Sequence, residues 1–140
     1  MPPRGGRPPW TGVASASTYY CWHCYASNPQ AAGVCRACGR SIASPPGTSY
    51  TEQLIWALGH PLPGRQMIAA QILGQRRESA AEQPLRELVD CADPFLAAQA
   101  LHSLVLIVGA DQLRELLHRL AASGAPAVSR VASMALGQRP

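Results

Sequence analysis

Two Cys-x2-Cys pairs carry the clearest chemistry in the chain, Cys21 with Cys24 and Cys35 with Cys38, separated by ten residues. Zn²⁺ prefers four tetrahedral ligands, and paired thiolates on two tight turns supply them. The two-residue spacer lets both sulfurs of one turn reach the same ion, and the ten-residue loop lets the second turn fold over the first. A segment this small has no room for a hydrophobic core, so metal binding must supply its folding free energy. One structural Zn²⁺ on Cys21, Cys24, Cys35 and Cys38 is therefore expected. Two disulfides are the alternative, but nothing in the sequence suggests an oxidising compartment. A thioredoxin-type redox role needs one such pair at a helix start beside a sheet, not two in a row.

The residues around these ligands add detail. His23 could replace a cysteine as ligand, but four thiolates already complete the shell, which leaves it as a surface histidine. Tyr19, Tyr20, Trp22 and Tyr25 crowd the same stretch. A finger this small cannot bury four large rings. Some of them, Tyr19 foremost, are expected to pack the tiny core. Others, Trp22 and Tyr25 among them, are candidates to anchor a protein partner or stack on bases.

Asn28-Pro29 sits in mid-loop and Gly39 follows the last cysteine. The stretch Cys21 to Ile42 resembles the short bacterial zinc ribbon, which usually has Gly where Tyr25 stands and an aromatic where Val34 stands. It is also similar to the finger family named after the Ran-binding nucleoporin, through Cys-x2-Cys-x3-Asn-x6-Cys-x2-Cys, with Tyr19 where that family usually has Trp. Ubiquitin-binding members of that family carry Thr-Phe after the second ligand. Here Tyr25-Ala26 argues against ubiquitin. RNA-binding members use several Arg and an aromatic. Here the resemblance offers Arg36 and Arg40 for that role.

The chain has 140 residues, 47% hydrophobic and only 6% aromatic, so any core is built from Leu, Ile, Val and Ala. No apolar run approaches the ~18 residues of a spanning helix, and MPPRGGRPPW lacks the apolar stretch of a secretory signal. A cytoplasmic protein without a membrane partner is expected. All 12 basic residues are Arg, and the eight acids lie between Glu52 and Glu115. The net charge of +4 therefore belongs to the front third, a hint of an acidic or nucleic-acid partner.

Residues 1–17 are rich in Pro, Gly and Arg and read as a flexible tail. Residues 18–43 form the finger, residues 44–50, with Ser44-Pro45-Pro46-Gly47, read as a linker, and residues 51–140 show helical periodicity. Six helices are expected, near 51–60, 64–76, 84–91, 94–108, 112–122 and 126–137. Ser49 with Glu52 has capping-box spacing, Asp93-Pro94 reads as an N-cap with Pro at the first helical position, and Gln83 and Asp111 stand at equivalent cap positions.

Those equivalences come from a repeat. Ala69-Ala70-Gln71-Ile72-Leu73 recurs as Ala97-Ala98-Gln99-Ala100-Leu101, and Leu85-Arg86-Glu87-Leu88 recurs as Leu113-Arg114-Glu115-Leu116, both at an offset of 28; Leu136-Gly137 is a weaker echo of Leu73-Gly74. A period near 30 means stacked pairs of helices. Through Arg65-x3-Ala69-Ala70-x2-Leu73-Gly74 and its copy, residues 64–137 resemble HEAT repeats of the phycobilisome-lyase-like type. That implies a mainly α chain with a short solenoid of about 2.5 repeats, used as a binding surface.

Little else suggests catalysis. Cys91 reads as a buried inert thiol closing a helix, and no base partner is in view. His102 and His118 fall on polar helix sides. Arg86 and Arg114, with Asp90 and His118, could line a groove or be ordinary solubilising charge, and Glu115–Arg119 has i,i+4 pairing geometry. The expected function is a non-enzymatic zinc-binding adaptor with a protein partner, its contacts drawn from Trp22, Tyr25, Arg36, Arg40, Arg86 and Arg114. The alternative is a nucleic-acid- or ribosome-associated protein using the basic front third. A repeat enzyme would need a cleft and a constellation of acids and bases that this chain lacks.

Overall fold

The computed structural model describes residues 18–29, 33–43 and 45–137. The tail expected at 1–17 lies outside the described residues. The chain divides into two compact units at Gly47–Thr48. Among the described residues it is mainly helical, with six α-helices and one two-stranded sheet.

The first unit is a pair of tight turns. Strand β1 (Thr18–Tyr20) pairs antiparallel with β2 (Ser27–Pro29), with Tyr20 opposite Ser27 and Thr18 opposite Pro29. A single antiparallel bridge joins Val34 and Ser41 around the second turn. The buried residues described here are Cys21, Asn28 and Cys35. Tyr19 is 48% exposed, so it does not pack the finger's core as expected. Among the described residues, that core is made of two cysteines and one asparagine amide.

The second unit begins with α1 (Tyr50–Ala57), whose cap Ser49 accepts a hydrogen bond from the Glu52 N–H, as the capping-box spacing predicts. Helix α2 (Pro63–Gln75) opens on Pro63. It closes with Arg77 at φ 53, while the Glu78 N–H bonds to the Leu73 carbonyl five residues back. This is a Schellman-type stop with Arg where Gly is usual. The first turn of α1 is fastened to that stop. Arg76 lies 5.2 Å from the Tyr50 ring centroid, and Thr51 Oγ1 donates to Glu78 Oε1 at 3.1 Å.

The remaining helices are α3 (Glu82–Leu88), α4 (Pro94–Val108), α5 (Arg114–Ser123) and α6 (Pro126–Ala135). Asp93 caps α4 by accepting from the Phe95 and Leu96 N–H groups. The caps expected at Gln83 and Asp111 are corrected. Each short helix is entered through a 3-10 turn, Ser79–Ala81 before α3 and Asp111–Leu113 before α5, and neither turn has a side-chain cap. The tighter winding makes its own i→i+3 bonds, such as Leu113 N–H to the Ala110 carbonyl, and so replaces the cap.

Helices α2, α4 and α6 lie side by side with α4 in the middle; α1 packs on α2, α3 on α4 and α5 on α6. Several repeat-matched apolar positions share their burial. Leu73 and Leu101 are both fully buried, as are Leu85 and Leu113, and Ala69 and Ala97 almost so. Among the described residues, no helix is long and apolar enough to cross a membrane.

Two further expectations are revised. Arg119 pairs with Asp90 at 3.8 Å and not with Glu115. Cys91 lies beyond the end of α3 and is half-buried, its thiol donating to the Asp93 carbonyl.

Candidate metal centre

Each Cys-x2-Cys pair sits on a turn that its own backbone closes. In the first, the Tyr25 N–H donates to the Cys21 carbonyl at 3.0 Å and the Cys21 N–H to the Ala26 carbonyl at 2.9 Å. In the second, the Gly39 N–H donates to the Cys35 carbonyl at 2.9 Å and the Cys35 N–H to the Arg40 carbonyl at 2.7 Å. The flanking pairs match too: Tyr20 with Ser27, and Val34 with Ser41. The site is one turn used twice at an offset of 14. Both turns need a left-handed residue after the second cysteine. Gly39 takes φ 78 there, and Tyr25 takes φ 64 where the zinc-ribbon pattern usually has Gly.

The turns aim four sulfurs at one point. The four Sγ atoms lie within 4.8 Å of one another, with contacts of 3.5 Å between Cys21 and Cys38 and 3.6 Å between Cys24 and Cys35. Thiolates about 2.3 Å from a tetrahedral Zn²⁺ stand about 3.8 Å apart. The donor set thus fits an ion such as zinc. His23 is exposed and outside this group; its Nδ1 accepts from the Arg40 guanidinium at 3.4 Å.

Asn28 joins the halves. Its Nδ2 donates to the Ala26 carbonyl at 3.0 Å and to Cys35 Sγ at 3.5 Å, and its Oδ1 accepts from the Arg36 N–H at 2.9 Å. The sequence marked this Asn as part of a motif, but its bridging work became visible only in the structure. Further donors point at the buried sulfurs, from the His23 N–H to Cys21 and from the Ala37 N–H to Cys35.

These donors divide the thiols. At Cys21, loss of hydration is outweighed by the Cys24 and His23 N–H groups, and its pKa is lowered. The Cys38 N–H and the Asn28 amide hold Cys35 down to about 6. At Cys24 the Ala26 N–H favours the thiolate, yet loss of hydration and the adjoining sulfurs push it up to about 12. Four neighbouring thiolates repel one another. A dication removes that repulsion and displaces the remaining protons.

The other candidate residues are placed as follows. Arg36 and Arg40 are exposed on the second turn, and Trp22 and Tyr25 are half-exposed on the first. Arg86 and Arg114 line one shallow concavity of about 470 Å³ with Asp111, Gln112 and Glu115, but Arg86 pairs with Glu82 at 3.1 Å and Arg114 with Asp111 at 3.6 Å. His118 lies at a neighbouring concavity of about 290 Å³, and Asp90 lines neither. No family model, curated protein or solved structure matches the chain.

Proposed function

We propose that this protein is a non-enzymatic, cytoplasmic adaptor, in which a finger held by one structural Zn²⁺ and a short HEAT-type stack each bind a protein partner. One observation carries the metal assignment: the four sulfurs converge in a unit whose buried residues, among those described, are two of those cysteines and the asparagine that bridges them. With four protein ligands the ion has no open position for a substrate, which supports a structural role over a catalytic one. The side-by-side order of α2, α4 and α6, with buried leucines recurring 28 residues apart, supports the HEAT-type reading.

Charge bears on the partner. No acid precedes Glu52, which favours nucleic acid as the alternative partner. However, Zn²⁺ with four thiolates carries a net charge of about −2, which offsets the two cations Arg36 and Arg40 on the finger. The half-exposed Trp22, on a metal-fixed turn, then offers more to a protein hot spot than the finger's charge offers to phosphate.

The decisive experiment is metal analysis of the full chain followed by chelation. About one Zn²⁺ per chain is expected. Its removal melts the finger and leaves the far-UV helical signal, since the six helices among the described residues lie in the second unit. Zinc content near zero in protein made under zinc-replete, reducing conditions sinks the metal reading. Steeply salt-dependent oligonucleotide binding abolished by Arg36→Ala with Arg40→Ala replaces the protein partner with nucleic acid.

A further inference from the structure

Exposure and contact divide the four sulfurs in a way that ligand geometry does not require. Cys21 and Cys35 are buried, whereas Cys24 and Cys38 are exposed. Two sulfur–sulfur contacts cross between the turns, and each joins an exposed to a buried cysteine: Cys38 with Cys21 at 3.5 Å, Cys24 with Cys35 at 3.6 Å. The turn that presents Cys24 also carries a non-glycine residue at positive φ, Tyr25, so it is held in a backbone that Tyr rarely adopts.

From this arrangement we infer that the finger is a peroxide-responsive metal-release switch, in which Cys24 and Cys38 are attacked and Cys35 and Cys21 resolve them into two disulfides that cross between the turns. The inference rests on the metal reading above. In each pair the exposed thiolate attacks one oxygen of H₂O₂, the O–O bond breaks, and a sulfenic acid and hydroxide form. The buried thiolate then attacks that sulfur, the S–S bond forms and a second hydroxide leaves. Two protons from solvent convert the hydroxides to two waters. The two thiolates lose two electrons and the peroxide gains them. Oxidation of one pair leaves two ligands, too few to hold the ion, and oxidation of both leaves none. The helices of the second unit contain none of these sulfurs, so the switch acts on the finger's shape and on whatever the finger binds.

The test uses the full chain with Cys91→Ser, loaded with zinc and assayed for zinc content before any oxidant is added. A protein without zinc at that stage fails the metal reading, and this inference with it. A loaded protein that keeps its zinc fails only this inference. Under H₂O₂, zinc release is followed with a chromogenic chelator, and disulfides are mapped after cleavage at Arg36 and beside Trp22 and Tyr25, which separates the four cysteines. The expected result is release of about one zinc per chain with Cys21–Cys38 and Cys24–Cys35 links, reversed by a dithiol reductant and added zinc. Links within each turn, Cys21–Cys24 and Cys35–Cys38, overturn the inference, as do sulfonic acids without disulfides or retention of zinc while the sulfurs stay reduced.

Discussion

Gly74 on α2 and Ser103 on α4 stand in close contact. A Cβ on Gly74 would stand 2.7 Å from the Ser103 Cα, and the Ser103 hydroxyl donates to the Ala70 carbonyl at 2.6 Å while accepting from Gln99 Nε2 at 3.2 Å. Ser103 is completely buried and its hydroxyl is satisfied on both sides. This close approach leaves no room for a Cβ at residue 74 between α2 and α4.

Gly74→Ala should therefore destabilise the second unit, although Ala is the better helix former by about 1 kcal/mol. Forcing a methyl against backbone costs about 1–3 kcal/mol, so a net loss is expected in urea unfolding. Ser103→Ala should cost about 0.5–1.5 kcal/mol for its hydrogen bond and should not rescue Gly74→Ala, since the backbone of residue 103 still blocks the methyl. A double variant as stable as Ser103→Ala alone would show that the hydroxyl, not the backbone, limits the approach.

Leu73→Ala and Leu101→Ala should each cost about 2–5 kcal/mol, because both leucines are fully buried at equivalent places on α2 and α4. Leu101 should cost as much or more, since α4 is flanked by both α2 and α6. A loss below about 1 kcal/mol at both, by the same unfolding assay, contradicts the shared core.

Asn28→Asp is the sharpest probe of the metal site. The carboxylate can still accept from the Arg36 N–H, but it loses the donor to Cys35 Sγ and sets a negative charge beside a thiolate. Zinc affinity in competition with a chelator should fall about 10–100-fold. Unchanged affinity would mean that the amide merely fills space.

His60 should make the helical unit acid-sensitive. It is 3% exposed, its Nδ1 accepts from the Leu62 N–H at 3.1 Å, and burial, then Arg65, lowers its pKa below 6.5. Between that lowered value and 6.5 the unfolded chain binds the extra proton and the folded chain does not. Stability is thus complete above about pH 6.5. It declines as pH falls, until the folded histidine also protonates. Urea midpoints at pH 7 and pH 5.5 should differ more in the native protein than in His60→Asn. Equal differences would assign the acid sensitivity elsewhere.

Much of this was legible one residue at a time. Spacing alone predicted the four-sulfur cluster, because two residues between cysteines is a local constraint that a single turn satisfies. The 28-residue recurrence located the buried leucines, since a repeated apolar position repeats its environment. Asp93-Pro94 placed the start of α4 because capping is an interaction within one turn. What the tertiary structure decided depends on residues distant in sequence. Asn28 bridges the two turns, Ser103 meets Gly74, Asp90 and not Glu115 takes Arg119, and the sulfurs pair across turns with one exposed and one buried. In each case the local pattern offers several partners of equal chemistry, and only the packing of separate segments brings one of them within reach.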